Sequence, residues 1–140
     1  AAFAIGGGLK GCGVADLVFS QFIPLFPASF STGYALLALL TTIALHMLLG
    51  SNITAMSVVV PGLMSIGAGV APAVPLLFII FLGICGHSLL PFHHVLLLMG
   101  EGKGYYTGKD LLRLTLLLTV LIFPVVLVLY MGWWQITGLL

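Results

Sequence analysis

Charged side chains are scarce in this chain of 140 residues, which has four Lys and Arg and three Asp and Glu, or 5% in total. Soluble domains carry about 25% charged residues, and 61% of this chain is hydrophobic. The low charge excludes an ordinary soluble domain, and the net charge of +1 excludes a nucleic-acid-binding surface. The composition predicts an all-α integral membrane protein embedded in a lipid bilayer.

Cysteine is also scarce. Cys12 and Cys85 are the two cysteines and show no CxxC spacing, so the chain has neither a disulfide framework nor a zinc-finger pattern. There is no GxSxG elbow, and Asp16 and Asp110 lie in distant segments. These absences predict that the protein is not an enzyme.

The chain begins in apolar residues without an initiator Met, a basic segment or a cleavage pattern. At roughly 20 residues per span, 140 residues hold about four or five passes, fewer than most transport pathways need. We therefore expect residues 1–140 to form a single membrane unit that is the C-terminal fragment of a longer protein. The glycine-rich first stretch predicts a distorted or closely packed helix.

A polar break, Gly50-Ser51-Asn52, interrupts the long apolar region 34–66. The two arms, of roughly 16 and 14 residues, are short for independent spans. Polar backbone at membrane depth needs cover from protein or a water-filled cavity. The pattern predicts a re-entrant hairpin over 34–66 with Ser51 and Asn52 at its tip; two short spans joined at a surface turn are the alternative.

A second interruption lies within the apolar region 75–100. Pro91 has no amide hydrogen to donate to the His87 carbonyl, and its ring crowds that turn of the helix. The sequence therefore predicts a broken helix over 75–100, unwound within the membrane.

The final apolar region predicts a spanning helix over 108–131. Thr107 and Asp110 have the spacing of a capping box, Pro124 predicts a kink, and the Trp133-Trp134 pair predicts an interfacial anchor.

Three basic residues, Lys103, Lys109 and Arg113, lie in or beside the hydrophilic loop before this helix. The positive-inside rule puts the loop 100–113 in the cytoplasm of a multi-pass protein. The C-terminus and the open end of the hairpin are then both expected outside.

Interrupted membrane helices mark the binding sites of secondary transporters, because their ends expose carbonyls to cations and amides to anions. Ser51, Asn52 and Thr54 add neutral oxygens, which suit sodium better than calcium. The ordinary alternative is that these hydroxyls bond to the backbone of the preceding turn.

Histidine at membrane depth is costly unless it lines a cavity or has a partner. His93 is a candidate proton-sensitive donor to an anion; alternatively it is neutral and bonds to a carbonyl freed by Pro91. His46 and His94 are weaker candidates.

A membrane protein with a His-ligated metal ion is a further alternative to a transporter. Adjacent histidines, however, point about 100° apart on a helix, and no i, i+4 pair or carboxylate completes a site. We expect no transition metal and no other cofactor.

The residues Ser51-Asn52-Ile53-Thr54, followed by an apolar run to Pro61, resemble the Ser-Asn-Thr hairpin tip of the divalent anion:sodium symporters, which carry succinate, citrate and related anions. The Gly6-Gly7-Gly8 opening, the broken helix around 90–93 and the last helix after a basic loop are similar to the C-terminal repeat of that family. The resemblance covers nearly the whole chain.

The resemblance implies the C-terminal inverted repeat of an elevator-type transporter, paired with a missing N-terminal repeat in a homodimer. By position, the Gly50 carbonyl and the Asn52 side chain bind sodium. Ser51, Asn52 and the nearby Thr54 bind the anionic substrate. Leu90, Pro91 and His93 of the facing linker are also expected to bind it, Leu90 and Pro91 through backbone groups.

Two departures from the family pattern bear on the substrate. Ile53 stands where the family has Thr, and the linker reads Leu90-Pro91-Phe92-His93 where Thr-Pro-Pro-Asn is typical. The loss of a hydroxyl at Leu90 removes a carboxylate donor, which leaves open the identity of the anion and of the coupling ion. The predicted function is sodium-coupled anion symport; a small membrane subunit that only packs against partners is the alternative.

Overall fold

The fold is described from a computed structural model for residues 4, 7–8, 11–86 and 94–139, without the side chains at positions 15, 16, 95 and 129. Within these ranges the secondary structure is helical and contains no strand, which confirms the predicted all-α class. The helices are α1 Val14–Phe22, α2 Thr32–Leu49, α3 Asn52–Ile66, α4 Ala73–Cys85, α5 Val95–Gly102, α6 Gly108–Pro124 and α7 Met131–Thr137.

Two helices are long and apolar enough to cross a membrane: α2, and the continuous helix Gly108–Thr137 that contains α6 and α7. Helices α3 and α4 are apolar but shorter, with 15 and 13 residues. Length and composition of these two helices therefore fit a membrane location.

Helices α2 and α3 form the two arms of the predicted hairpin. The Ser31 side chain caps α2 by accepting a hydrogen bond from the Tyr34 amide. At the other end, Gly50 has a φ of 65° and its amide donates to the His46 carbonyl. This left-handed conformation favours glycine and ends the helix, so the chain turns and α3 begins at Asn52.

Helices α2, α3 and α4 pack on one another as a three-helix bundle, and α1 lies across α3. Glycine allows the closest approach of α1: a Cβ at Gly62 would lie 2.1 Å from Cε2 of the Phe19 ring. Small residues at such crossings let helix backbones come together. The buried core includes Leu39, Leu63, Leu76, Ile79, Ile80 and Ile84.

The predicted capping box at the start of α6 is confirmed, because the Thr107 hydroxyl accepts from the Asp110 amide and the Asp110 carboxylate accepts from the Thr107 amide. A π-helical segment, Val125–Tyr130, follows Pro124. Proline has no amide to donate and its ring crowds the preceding turn, so the hydrogen bonds resume at a wider spacing. The helix then continues to Thr137 and ends at Gly138 (φ 72°), beyond the predicted end at residue 131.

The predicted broken helix is described only at its two ends. Helix α4 stops at Cys85 and α5 starts at Val95, with His94 as its N-cap residue. The interruption around Pro91 lies outside the described residues, as do Leu90 and His93.

In the glycine-rich opening, residues 4, 7–8 and 11 are helical, and the chain leaves the helical conformation at Gly13. Gly13 has a φ of 75° immediately before α1. A Cβ at Gly7, Gly8 or Gly11 would meet nothing within 4 Å. Close packing of these glycines against the described part of the chain is therefore not observed.

Candidate functional site at the hairpin tip

The Asn52 side chain is the principal feature of the tip. The residue is partly exposed, yet its Oδ1 atom is buried and accepts no hydrogen bond from any described residue. Leaving such an acceptor unsatisfied costs about 1–3 kcal/mol. A bound cation or hydrogen-bond donor would offset this cost, so Oδ1 is a candidate ligand atom.

Two helix ends of opposite polarity meet beside Asn52. The Ser51 side chain does not cap α3, and the first hydrogen bond into that helix runs from the Ala55 amide to the Ser51 carbonyl, at 2.8 Å. The amides of the first turn of α3 and the last carbonyls of α2 therefore have no acceptor or donor within their own helices. The positive end of α3 suits an anion, and the negative end of α2 suits a cation.

The structure brings together only part of the predicted site. Gly50, Ser51 and Asn52 lie at the tip, whereas Thr54 is buried one turn into α3 and its carbonyl accepts from the Ser57 hydroxyl at 2.8 Å. Ile53, which stands at the family's Thr position, is 52% exposed. The remaining predicted residues, Leu90, Pro91 and His93, lie outside the described ranges.

The described histidines differ in burial. His46 is fully buried in the last turn of α2, one turn before the tip, and His94 is partly exposed. Within the described ranges, no group of three or more His, Cys, Asp or Glu side chains is arranged to hold a metal ion.

Helix α4 runs antiparallel to the long helix Gly108–Thr137, and one shared cavity and two close pairs of residues define their register. Pro72 and Gln135 line the same cavity. The ring centroids of Phe78 and Tyr130 are 6.3 Å apart, and a Cβ at Gly86 would lie 3.0 Å from Ile122 Cδ1. As residue numbers rise along α4, the numbers of the neighbouring residues in the long helix fall by about the same amount.

Helix α2 runs in the same direction as α4, because its first residue, Thr32, lines the cavity with Pro72, and Thr42 contacts Gly83 further along. Gly50 lies about 12 Å beyond Thr42 at 1.5 Å per residue. By this count the tip lies level with about Leu117 of the long helix. Residues 114–133 of that helix carry no charge, so the polar tip lies beside an uncharged stretch.

Sequence reasoning did not identify two polar groups of the described structure. The Tyr34 hydroxyl is buried and has no hydrogen-bond partner among the described residues, and Gln135 lines a cavity at the opposite end of the bundle from the tip. Gln135 is one of only three Asn and Gln residues in the sequence, and this rarity is a signal by which the sequence could have identified it.

No model of a known protein family, no curated protein and no solved structure matches this chain. The similarity to the divalent anion:sodium symporters therefore depends on the motif residues alone.

Proposed function

We propose that this chain provides half of the binding site of a secondary transporter that moves a small anion together with sodium. The observation that carries the proposal is the buried, unsatisfied Oδ1 of Asn52 at a polar break between two apolar helices. Neutral amide and carbonyl oxygens are suitable ligands for a hard monovalent cation, which here is sodium.

The level of the tip supports a re-entrant hairpin. The register of the helices puts Gly50 and its neighbours beside the uncharged residues 114–133 rather than beyond them. Leu117 lies about 5 Å inside the loop-side end of this stretch at 1.5 Å per residue. Polar backbone within the apolar layer requires a protein or water-filled environment.

The start of α3 is the proposed binding site of the anion. Its first amides lack acceptors within the helix, and the Ser51 hydroxyl is not used as a cap. Sodium at Asn52 and the anion at the amides would lie close together, so each ion would reduce the electrostatic cost of binding the other. The site thereby favours joint binding of both ions.

The resemblance extends this proposal to the C-terminal repeat of an elevator-type symporter that works as a homodimer. An N-terminal repeat then supplies the other half of the site. The hairpin's open end and the end of α7 lie at the same end of the bundle, since Ser31 and Gln135 line one cavity. With the loop 100–113 in the cytoplasm, both ends face outside.

Uptake measurements on the full-length protein test the function. In membrane vesicles that contain it, we expect Asn52→Ala to abolish the sodium-stimulated part of anion uptake. Gln135→Ala also removes an amide, but at the opposite end of the bundle, and should retain sodium stimulation. Sodium-stimulated uptake that is equal in wild type and Asn52→Ala would overturn the assignment of the tip.

A binding measurement on the chain itself complements uptake. A ligand that binds only the folded state raises its stability, so sodium should raise the unfolding temperature in nanodiscs when it replaces choline at equal ionic strength. Asn52→Ala should lose this increase and Gln135→Ala should keep it.

The missing repeat is tested by the mass of the native polypeptide in membranes of the source cell. We expect a product several times larger than the 14.7 kDa of this chain. A native product of 14.7 kDa would instead favour the packing subunit, or two copies in opposite orientations.

A further inference from the structure

An open cavity lies at the opposite end of the bundle from the hairpin tip. Its volume is about 440 Å³, within the range of roughly 300–1,000 Å³ found for small-molecule sites. Three separate parts of the chain form it: the start of α2, the connection between α3 and α4, and α7. The lining residues are Phe30, Ser31, Thr32, Val70, Pro72, Met131 and Gln135.

The lining combines polar and apolar groups without charge. None of the described lining residues is ionisable. A lining without charge provides no counter-ion for an ionic ligand. The cavity therefore favours an uncharged ligand, which separates it from the ion site proposed at Asn52.

The polar groups of the lining both donate and accept hydrogen bonds. The hydroxyls of Ser31 and Thr32 have this double capacity, and the Gln135 side chain has two donor hydrogens and an acceptor oxygen. Ser31 Oγ already accepts from the Tyr34 amide at 3.3 Å, which leaves its hydrogen to donate. Ligand hydroxyl groups match this set, because they also donate and accept.

The apolar side of the cavity and its surroundings indicate a lipid. Phe30, Val70 and Met131 provide apolar contact next to the polar groups. Trp133, 63% exposed, is on the same helix as Met131 and Gln135, whereas Trp134, the other residue of the predicted interfacial pair, is buried. Tryptophan is enriched where a membrane protein meets the headgroup region, where a ligand with a polar head and an apolar body is abundant.

We propose that this cavity binds the hydroxyl-bearing headgroup of an uncharged lipid, with the sugar or glycerol hydroxyls against Ser31, Thr32 and Gln135. The first apolar carbons below the headgroup contact Phe30 and Met131. This site does not depend on sodium-coupled transport.

Native mass spectrometry of the chain released from nanodiscs tests the proposal. The nanodiscs contain glucosyl diacylglycerol and phosphatidic acid with the same acyl chains. We expect wild type to retain the glucolipid in preference to the acid. Gln135→Leu should lower the glucolipid-bound fraction by about fivefold to tenfold, the effect of losing a hydrogen bond.

Gln21→Leu is the matched control, because Gln21 is an exposed amide on α1 outside the cavity, and it should retain the glucolipid as wild type does. Preference for phosphatidic acid, or equal retention by both glutamine variants, would overturn the proposal. Displacement of the glucolipid by free glucose would also overturn it, since the occupant would then be a soluble sugar.

Discussion

Thr42 and Gly83 meet where helix α2 packs on helix α4, and a Cβ at Gly83 would lie 2.8 Å from Thr42 Cγ2. Thr42 is held in this position because its hydroxyl donates to the Ala38 carbonyl at 2.7 Å. The missing side chain of Gly83 thus sets the close approach of the two helices. The same contact aligns α2 with α4 and so determines the level of the hairpin tip.

Gly83→Ala should therefore destabilise the bundle. Inserting a methyl group into a packed contact costs about 1–3 kcal/mol, and the measurement is reversible unfolding in mixed micelles followed by tryptophan fluorescence. Gly132→Ala is the control, since a Cβ there would meet nothing within 4 Å; in a helix it should be stabilising by about 0.5–1 kcal/mol. Equal effects of the two variants would contradict the packing role of Gly83.

Tyr34→Phe should increase stability, because it removes a buried hydroxyl without a described partner and keeps the ring against Phe26 and Phe30. An unsatisfied buried group costs about 1–3 kcal/mol. Tyr106→Phe should have the opposite effect, since the Tyr106 hydroxyl donates to the Leu97 carbonyl. Chemical unfolding of both variants checks the prediction, and a loss of stability in Tyr34→Phe would argue that this hydroxyl has a partner.

Asn52→Leu should raise the stability of the protein and abolish its stabilisation by sodium. In sodium-free buffer we expect the variant to gain about 1–3 kcal/mol, because an unsatisfied buried acceptor is removed. Added sodium should then stabilise wild type and not the variant. Thermal unfolding with and without sodium measures both effects, and a variant that is less stable in sodium-free buffer would show that Oδ1 does not carry this cost.

Labelling with a water-soluble maleimide tests whether the tip lines a cavity. The two cysteines, Cys12 and Cys85, are exposed and are first replaced by serine in the full-length protein. We expect Ser51→Cys to react, and sodium with the transported anion to slow the reaction. Thr54→Cys should stay unreactive because Thr54 is buried. An unreactive Ser51→Cys would favour the packing-subunit alternative.

The helices and their ends could largely be predicted from the sequence. The arms on either side of Gly50-Ser51-Asn52, the capping box at Thr107 and Asp110, and the irregularity after Pro124 each depend on residues close together in the chain. The last helix also ends at a local signal, a glycine after its last turn, which the predicted end at residue 131 missed. It continues beyond residue 131 until Gly138, whose left-handed conformation ends it.

Some features of the candidate site follow from the sequence, and others follow only from the tertiary structure. The sequence by itself determined that polar residues interrupt an apolar region at Ser51 and Asn52, because polarity and hydropathy are properties of the residues. Only the tertiary structure decided that Oδ1 of Asn52 is buried without a described donor, that Tyr34 is enclosed, and that Gln135 shares a cavity with Ser31. Burial and register arise from contacts between helices distant in the chain, and local sequence pattern does not specify those contacts.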